Sequence, residues 1–231
     1  MRYKYTETEI DKILDSMVVL IDTREQKCEH IKEWLEAKKR PYKIAKVDLG
    51  DYSCYIPNGS FKGQTRDIYF TDDIVIERKS CIDELAMNLR TKKDNLKDID
   101  KEAVELLGEK YLEKILKSDY MRLKQEFTSL NKYGTNFVIY IEDENYLKNL
   151  KSGNYRSKYE KGTLYKRLKA LEREFKTLIM PVSAEDVAAE IYNTLRYAVR
   201  DILKNKGYFE EEKRLGGQLE RINRHRFKKF N

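Results

Sequence analysis

Apolar and polar residues alternate along the chain in blocks that predict strands and helices in turn. Short apolar runs bounded by polar residues are typical of buried strands, and apolar residues at helical spacing are typical of amphipathic helices. The predicted strands are 18–21, 42–56, 67–70, 73–79, 137–141 and 177–180, and the clearest predicted helices are 28–39, 164–175 and 187–202. The pattern predicts an α/β fold in which helices cover both faces of a sheet.

One antiparallel pairing is predicted from turn residues. Asn58 and Gly59 form a strong turn signal after the second strand, and the chain returns through 67–79. Because the two segments would then be antiparallel neighbours, residues near Asp51 are expected opposite residues near Glu77.

Three helix starts are predicted from a Ser or Thr followed by acidic residues. Thr8 is expected to cap a short first helix, and Ser183 is expected to cap the last one. Ser80 is expected to cap a helix that follows 73–79 directly, with Asp83 at the third position of its capping box.

The composition is that of a helix-rich globular protein. Of the 231 residues, 38% are charged and 40% are hydrophobic, which fits one folded domain. The chain has no run of about 18 apolar residues, as a membrane span requires, and its N-terminus lacks the apolar core of a signal peptide. Three scattered cysteines and only two histidines argue against a structural zinc site or a disulfide framework. We expect a cytoplasmic protein without membrane attachment.

Much of the net charge of +7 lies in the segment 204–231, which carries nine Lys or Arg residues against four Glu. Cations that neutralise phosphates gain affinity from counterion release, so this basic tail favours DNA as a partner. Phe227 and Phe230 lie among the cations and could stack on unpaired bases. A solvated terminus without function is the alternative. The candidate DNA-binding residues are Arg221, Arg224, Arg226, Lys228 and Lys229.

The apolar run 74–76 leads directly into three charged residues, Glu77, Arg78 and Lys79. Because side chains in a strand alternate between faces, Glu77 and Lys79 are expected on one face and Arg78 on the other. A carboxylate and an ammonium two residues apart form half of a metal-dependent phosphodiesterase site. Asp51 on the neighbouring strand can supply the second carboxylate.

These residue types suit the hydrolysis of a phosphodiester. Mg²⁺ prefers oxygen ligands, usually one or two carboxylates completed by water and substrate phosphate. Asp51 and Glu77 are therefore predicted to hold Mg²⁺, with Mn²⁺ as a substitute. The metal would activate water, while Lys79 would position that water and stabilise the charge that develops on the phosphate. The pattern of Glu77 and Lys79 alone also arises by chance in a chain this rich in charge.

Four ordered motifs together resemble the XPF family of structure-specific DNA endonucleases. The nuclease domain of that family carries Gly-Asp, a variable stretch, Glu-Arg-Lys, three residues and Asp, which here are Gly50-Asp51, 77–79 and Asp83. Upstream, an apolar strand ends in Asp22-Thr23-Arg24-Glu25, similar to the family's Asp-x-Arg-Glu element. The resemblance covers roughly residues 17–202 and implies a restriction-endonuclease-like fold, a mixed sheet with helices on both faces.

The resemblance implies roles for the matching positions. Asp51 and Glu77 would be metal ligands and Lys79 the catalytic lysine. Asp22 would complete the acidic cluster or serve a second metal. Arg78 would face away from the metal, either bracing the acidic cluster or reaching phosphate. The predicted catalytic set is Asp22, Asp51, Glu77, Arg78 and Lys79.

Three further positions are expected to support this set. Arg24 and Glu25 follow Asp22 in the family element and would brace the acidic cluster. For Asp83 two roles stay open. The family retains an Asp at this position, which favours a role in the site, but Asp83 could also simply cap the following helix.

The predicted nuclease domain covers 1–203, and the basic tail covers 204–231. Residues 91–119 look longer than the corresponding family connection and would be either a DNA-facing cap or a surface elaboration. The sequence shows no tandem helix-hairpin-helix module after the nuclease domain. Substrate selection is therefore left to the nuclease domain, the insertions, the tail or a partner subunit.

We predict an Mg²⁺-dependent DNA endonuclease that acts on branched, flap or junction DNA, as in DNA repair or recombination. The alternative is a non-catalytic DNA-binding or scaffolding subunit, because the family includes partners that bind without cutting. The intact carboxylates favour an enzyme, since holding like charges together has an electrostatic cost that a scaffold does not need. Another enzyme on the same fold, such as a resolvase or a restriction-type nuclease, is a third hypothesis.

A homodimer is predicted from the last helix, since XPF-like nuclease domains commonly pair. Ala188, Tyr192 and Val199 form a second apolar stripe beside the stripe assigned to the core. A wide apolar face that is simply buried within the monomer is the alternative.

Overall fold

A computed structural model describes residues 4–89, 127–129 and 132–208 of the chain. The strands are β1 Val18–Ile21, β2 Tyr42–Ile44, β3 Tyr52–Ile56, β4 Ile68–Tyr69, β5 Ile74–Lys79, β6 Asn136–Ile141 and β7 Leu178–Pro181. The helices with bounds in these ranges are α1 Glu7–Asp15, α2 Glu29–Ala37, α3 Ile82–Asn88, α4 Tyr146–Ser152, α5 Lys161–Phe175 and α6 Val187–Asn205. The predicted insertion 91–119 and the tail from 209 onward lie outside the described residues.

The strands form one mixed sheet in the order β2-β1-β3-β5-β6-β7, and β4 pairs with β3. β3 is antiparallel to both β1 and β5, whereas β5, β6 and β7 are parallel. Tyr52 on β3 is the register partner of Ile76 on β5, which confirms the predicted antiparallel pairing. Lys79 lies opposite Ile141, so β5 and β6 end at the same edge of the sheet.

Helices cover both faces of the sheet, which confirms the predicted α/β class. On one face, the helices α1, α2 and α6 pack in a core that includes Ile21, Tyr52 and Ile76. On the other face, α3, α4 and α5 pack in a core that includes Val75 and Ile139. We call these the α6 face and the α5 face. Side chains along β5 therefore enter two separate cores in alternation.

Some predicted element bounds were wrong. The single strand predicted over 42–56 is two strands, β2 and β3, separated by a segment that passes through Gly50. Gly50 has a φ of 75°, a left-handed conformation that interrupts an extended chain. Helix α4 was not predicted at all.

All three predicted N-caps were also wrong, and that of α3 is Cys81 rather than Ser80. Helix α1 is capped by Thr6 rather than Thr8, because Thr6 and Glu9 form the capping box. The N-cap of α6 is Asp186. Ser183 contributes from one turn earlier, where its Oγ accepts a hydrogen bond from the Asp186 N–H at 3.0 Å.

The second apolar stripe of α6 is buried inside the monomer. Ala188, Tyr192 and Val199 are each at most 3% exposed, and the Tyr192 ring packs against Trp34 of α2. The interpretation of this stripe as a homodimer surface was therefore wrong. Among the described helices, none combines the length and the apolar character of a transmembrane span.

Candidate functional site

The candidate site lies at the sheet edge where β5 ends and β3 begins. Gly50 approaches β5 so closely that a Cβ at this position would lie 2.2 Å from Val75 Cγ1 and 3.0 Å from Ile76 O. Asp51 then bonds to β5 twice. Its N–H donates to Ile76 O at 2.9 Å, and its Oδ2 accepts from the Arg78 N–H at 2.7 Å. The Gly-Asp pair thus fixes the Asp51 carboxylate at the carboxyl end of β5.

Asp51 and Glu77 interact electrostatically at this edge. Burial and the negative charge of Glu77 raise the pKa of Asp51 to about 8, although the Arg78 N–H and the charge of Lys79 lower it in part. Among the described residues, no group donates a hydrogen bond to Asp51 Oδ1 or to Glu77 Oε2. A cation beside both carboxylates would favour their ionised forms, because opposite charge nearby lowers the pKa of an acid.

Lys79 lies on the α5 face together with Glu77, and its side chain is only 10% exposed. Its Nζ donates to Glu77 Oε1 at 2.5 Å and lies 3.5 Å from Glu84 Oε1. Burial lowers the pKa of Lys79, but the charge and the hydrogen bond of Glu77, together with the charge of Glu84, outweigh burial and raise it. Lys79 is therefore a cation at neutral pH. Glu84 was not among the predicted site residues.

Arg78 points to the α6 face, which confirms the predicted alternation. Its Nη2 donates to Glu25 Oε1 at 2.5 Å and to Lys27 O at 2.8 Å, and its Nη1 donates to Glu142 Oε1 at 2.9 Å. Burial lowers the pKa of the Arg78 guanidinium, but its hydrogen bonds and the charge of Glu25 outweigh burial, so that this pKa is raised above its ordinary value. The Arg78 side chain is 4% exposed and joins Glu25 of the segment after β1 to Glu142 at the end of β6.

Asp22 follows β1 and is buried beside Asp51, to whose carbonyl its own N–H donates at 2.8 Å. Its Oδ1 accepts from the N–H and the Nε of Arg24 at 2.8 and 2.6 Å, and its Oδ2 accepts from the Val47 N–H at 2.7 Å. Burial raises the pKa of Asp22, but these bonds outweigh burial and lower it. Both oxygens of Asp22 therefore have partners, and its N–H ties the end of β1 to the backbone of Asp51.

Asp83 does not cap α3, so that alternative was wrong. The helix has Cys81 as its N-cap, without a side-chain capping hydrogen bond, and Glu84 Oε2 accepts from the Ser80 N–H just before it at 2.9 Å. The Asp83 Oδ1 instead accepts from the Ser157 N–H at 2.5 Å. Asp83 therefore ties α3 to the loop between α4 and α5.

Glu142 and His30 complete the cluster around Arg78, and neither was predicted. His30 Nε2 lies 3.0 Å from Glu142 Oε1, the same oxygen that accepts from Arg78. One signal was available in the sequence, since Glu142 follows the apolar run of β6 as Glu77 follows that of β5. In the ranges 4–89, 127–129 and 132–208, no group of three or more His, Cys, Asp or Glu side chains could hold a metal ion.

The predicted DNA-binding residues of the tail cannot be placed relative to this site. They lie outside the described residues and are Arg221, Arg224, Arg226, Lys228 and Lys229.

Comparison with known proteins agrees with the motifs. The sequence profile of the ERCC4 domain matches residues 21–195, from the last residue of β1 into α6. The chain belongs to the ERCC4 domain family. This confirms the resemblance to XPF nucleases, and all four motifs of this ERCC4 domain lie within or at the edge of the match. A search of curated proteins gave no match.

Two solved structures are similar to this ERCC4 domain. XPF from Aeropyrum pernix is 18% identical with a TM-score of 0.42, over 79% of this chain and 68% of that one. XPF from Aeropyrum pernix in complex with DNA is 17% identical with a TM-score of 0.41, over 80% of this chain and 66% of that one. The chain thus spans about two thirds of the length of these proteins.

Proposed function

We propose that this ERCC4 domain is a metal-dependent DNA endonuclease that hydrolyses phosphodiester bonds on branched, flap or junction DNA. The observation that carries the proposal is the meeting of Asp51, Glu77 and Lys79 at one sheet edge, two carboxylates and a cation on adjacent strands. Membership of a family of structure-specific DNA nucleases supports DNA as the substrate.

Asp51 and Glu77 fit a Mg²⁺ ion, with Mn²⁺ as a substitute. Each carries one carboxylate oxygen that accepts no hydrogen bond from the described residues, and Mg²⁺ commonly binds through one or two carboxylates. Burial and the charge of Glu77 raise the pKa of Asp51, and a cation held by both carboxylates would favour their ionised forms. When bound, the ion would lower the pKa of a coordinated water and neutralise charge on the phosphate. Asp22 is not included among the ligands, since both of its oxygens have partners.

Lys79 would act on the reacting phosphate through its charge. Its raised pKa keeps the ammonium protonated, so Lys79 cannot remove a proton from water at neutral pH. Its Nζ can donate to the attacking water and to a phosphate oxygen, and in the absence of substrate Glu77 holds it in place. Such a donor matters most where negative charge develops, which is in the transition state.

Arg78 and Asp22 would position the site without touching substrate. The Arg78 N–H holds Asp51 Oδ2, and the Arg78 side chain is anchored by Glu25 and Glu142. The Asp22 N–H holds the carbonyl of Asp51 from the other side. Asp51 is therefore fixed between two strand ends, and the cost of ordering a metal ligand is met on folding.

A cleavage panel tests the proposal. Flap, fork, Holliday-junction and plain duplex DNA are incubated with the protein in Mg²⁺, in Mn²⁺ and in EDTA. We expect cutting of at least one branched substrate in Mg²⁺ and no cutting in EDTA. Binding without cutting in every metal would favour the scaffolding subunit, and cutting in EDTA would contradict the metal site.

A further inference from the structure

The loop 153–160, between α4 and α5, is held in place by packing and hydrogen bonds. Tyr155 and Tyr159 pack against the core of the α5 face. The Tyr155 hydroxyl donates to Tyr159 O at 3.2 Å, and the Tyr159 hydroxyl donates to Leu89 O just after α3 at 3.1 Å. The loop therefore lies on the same face of the sheet as Glu77 and Lys79, and it is held at both ends.

Asp83 fixes this loop next to the catalytic strand. It lies in the first turn of α3, four residues after Lys79, and its sequence neighbour Glu84 pairs with Lys79 at 3.5 Å. Its Oδ1 accepts the Ser157 N–H at 2.5 Å. A backbone bond of this kind sets where the loop runs whatever side chain position 157 carries. The middle of the loop is thus connected to Lys79 through a single helical turn.

The loop presents cations to solvent. Arg156 and Lys158 are both exposed, and the Arg156 side chain is 91% exposed. The acidic residue of the loop, Glu160, is used locally, since its two oxygens accept from the Gly162 and Thr163 N–H groups and cap α5. Arg156 Nε lies 3.4 Å from Asp83 Oδ2, and an exposed pair of this kind contributes little energy. Arg156 can therefore exchange Asp83 for a phosphate at small cost.

We infer that the loop 153–160 binds the phosphate backbone of the DNA next to the scissile bond, with Arg156 and Lys158 as the contacts. Asp83 is then a positioning residue. It holds the loop through the Ser157 N–H, and it pairs with Arg156 when no DNA is bound. The inference deepens the proposed function and rests on it. It also gives the last Asp of the motif a role that is neither metal binding nor helix capping.

The test compares two double variants, each of which lacks two positive charges. Their DNA affinity is measured in EDTA, where no cutting occurs. The double variant Arg156→Gln/Lys158→Gln removes the loop cations. The control Lys38→Gln/Lys43→Gln removes the same charge from exposed positions at the end of α2 and on edge strand β2. Each phosphate contact contributes about 0.7–0.9 to the slope of log affinity against log salt, so the loop variant should lose about 1.5 from this slope. The control should keep the wild-type slope.

Equal slopes for the two double variants would overturn the inference. Failure of the wild-type chain to bind any DNA would overturn the proposed function itself, so the two failures differ. Circular dichroism of each variant checks that the fold is intact.

Asp83 is tested by two substitutions that differ in one hydrogen bond. Asp83→Asn keeps an oxygen for the Ser157 N–H and removes the charge that competes for Arg156, so we expect DNA affinity equal to wild type or higher. Asp83→Ala releases the loop, and we expect a salt slope as shallow as in the Arg156→Gln/Lys158→Gln variant. Equal loss of affinity in Asp83→Asn and Asp83→Ala would contradict the positioning role.

Discussion

The charged residues at the end of β5 are paired differently on the two faces of the sheet. On the α6 face, Arg78 is surrounded by the carboxylates of Glu25 and Glu142 and by a backbone carbonyl. On the α5 face, Glu77 and Lys79 pair with each other, and Glu77 also raises the pKa of Asp51. We call the α6 face saturated, because both terminal nitrogens of Arg78 have partners. We call the α5 face unsaturated, because Asp51 and Glu77 each keep one oxygen that accepts no hydrogen bond from the described residues.

The difference separates residues proposed to hold the site from residues proposed to take part in the reaction. A buried guanidinium with partners on both terminal nitrogens has little left to offer a substrate, and removing it leaves its carboxylate partners buried and unpaired. Two neighbouring acids instead disfavour each other's ionised forms, and a bound cation can relieve that repulsion. Arg78 belongs to the first class, and Glu77 and Lys79 belong to the second.

The largest expected effect is on the unsaturated face. Glu77→Gln removes a charge from the proposed metal site while keeping shape and hydrogen bonding, and we expect cleavage to fall by about 10³-fold or more, a loss at the upper end of those seen for single electrostatic groups. The unfolding free energy should change little. Single-turnover cleavage and urea unfolding measure the two quantities. Glu29→Gln, at an exposed residue of α2, is the control, and wild-type cleavage by Glu77→Gln would refute the metal assignment.

On the saturated face, Arg78→Ala should act on stability. Glu25 and Glu142 would remain largely buried without their partner, which typically lowers the unfolding free energy by about 3–5 kcal/mol. The control Arg200→Ala breaks the more exposed pair with Glu7, for which we expect about 0–1 kcal/mol. Urea unfolding compares the variants. A loss for Arg78→Ala no larger than that of the control would mean that the cluster is not a structural unit.

Lys79→Ala separates a catalytic cation from an anchoring one. Because the ammonium is proposed to act on charge that develops during the reaction, the cleavage rate at saturating DNA should fall by about 10²-fold while affinity changes far less. Single-turnover rates and binding in EDTA give the two numbers. A loss confined to affinity would make Lys79 a phosphate anchor and would move it into the same class as the loop cations.

The smallest effect is a pH dependence of stability in the absence of metal. Burial and Glu77 raise the pKa of Asp51 to about 8 in the folded protein, above its value in the unfolded chain. The folded state therefore binds the additional proton, and stability present below about pH 4 is lost as the pH rises toward about 8. We expect the unfolding free energy to fall across this range by on the order of 1 kcal/mol or more.

Asp51→Asn should remove this fall, because an amide does not titrate. Urea unfolding at several pH values in EDTA measures the slope for wild type and variant, with Asp72→Asn at an exposed position as the control. Identical slopes for wild type and Asp51→Asn would contradict the electrostatic coupling of Asp51 to Glu77.

The strands that carry the site could be predicted because their sequences are unambiguous. The apolar runs of β1, β5 and β6 are short and bounded by charge, and the period of two along β5 separated Arg78 from Glu77 and Lys79. Helix α4 was missed because its sequence, YLKNLKS, is too short and too polar to show a helical period. The break after β2 was missed because the apolar alternation continues through 45–49, and only the left-handed Gly50 shows that the strand stops.

The partners of the site residues could not be predicted, because they depend on contacts between distant segments. Glu142 joins Arg78 across 64 residues of sequence, and this contact requires β5 and β6 to be parallel neighbours. The sequence places Asp22 at a strand end, but it does not reveal that Arg24 and Val47 use both of its oxygens. The apolar stripe of α6 has the same appearance whether α2 or a second subunit covers it.

The close approach of Gly50 to β5 limits how the sequence of this ERCC4 domain can vary. Any side chain at position 50 would collide with Val75 Cγ1 and would also have to adopt a left-handed backbone. Folding and the proposed cleavage therefore both depend on a glycine at this position. Intolerance of substitution at Gly50 in a library of variants would report on packing, although its neighbour Asp51 is the proposed metal ligand.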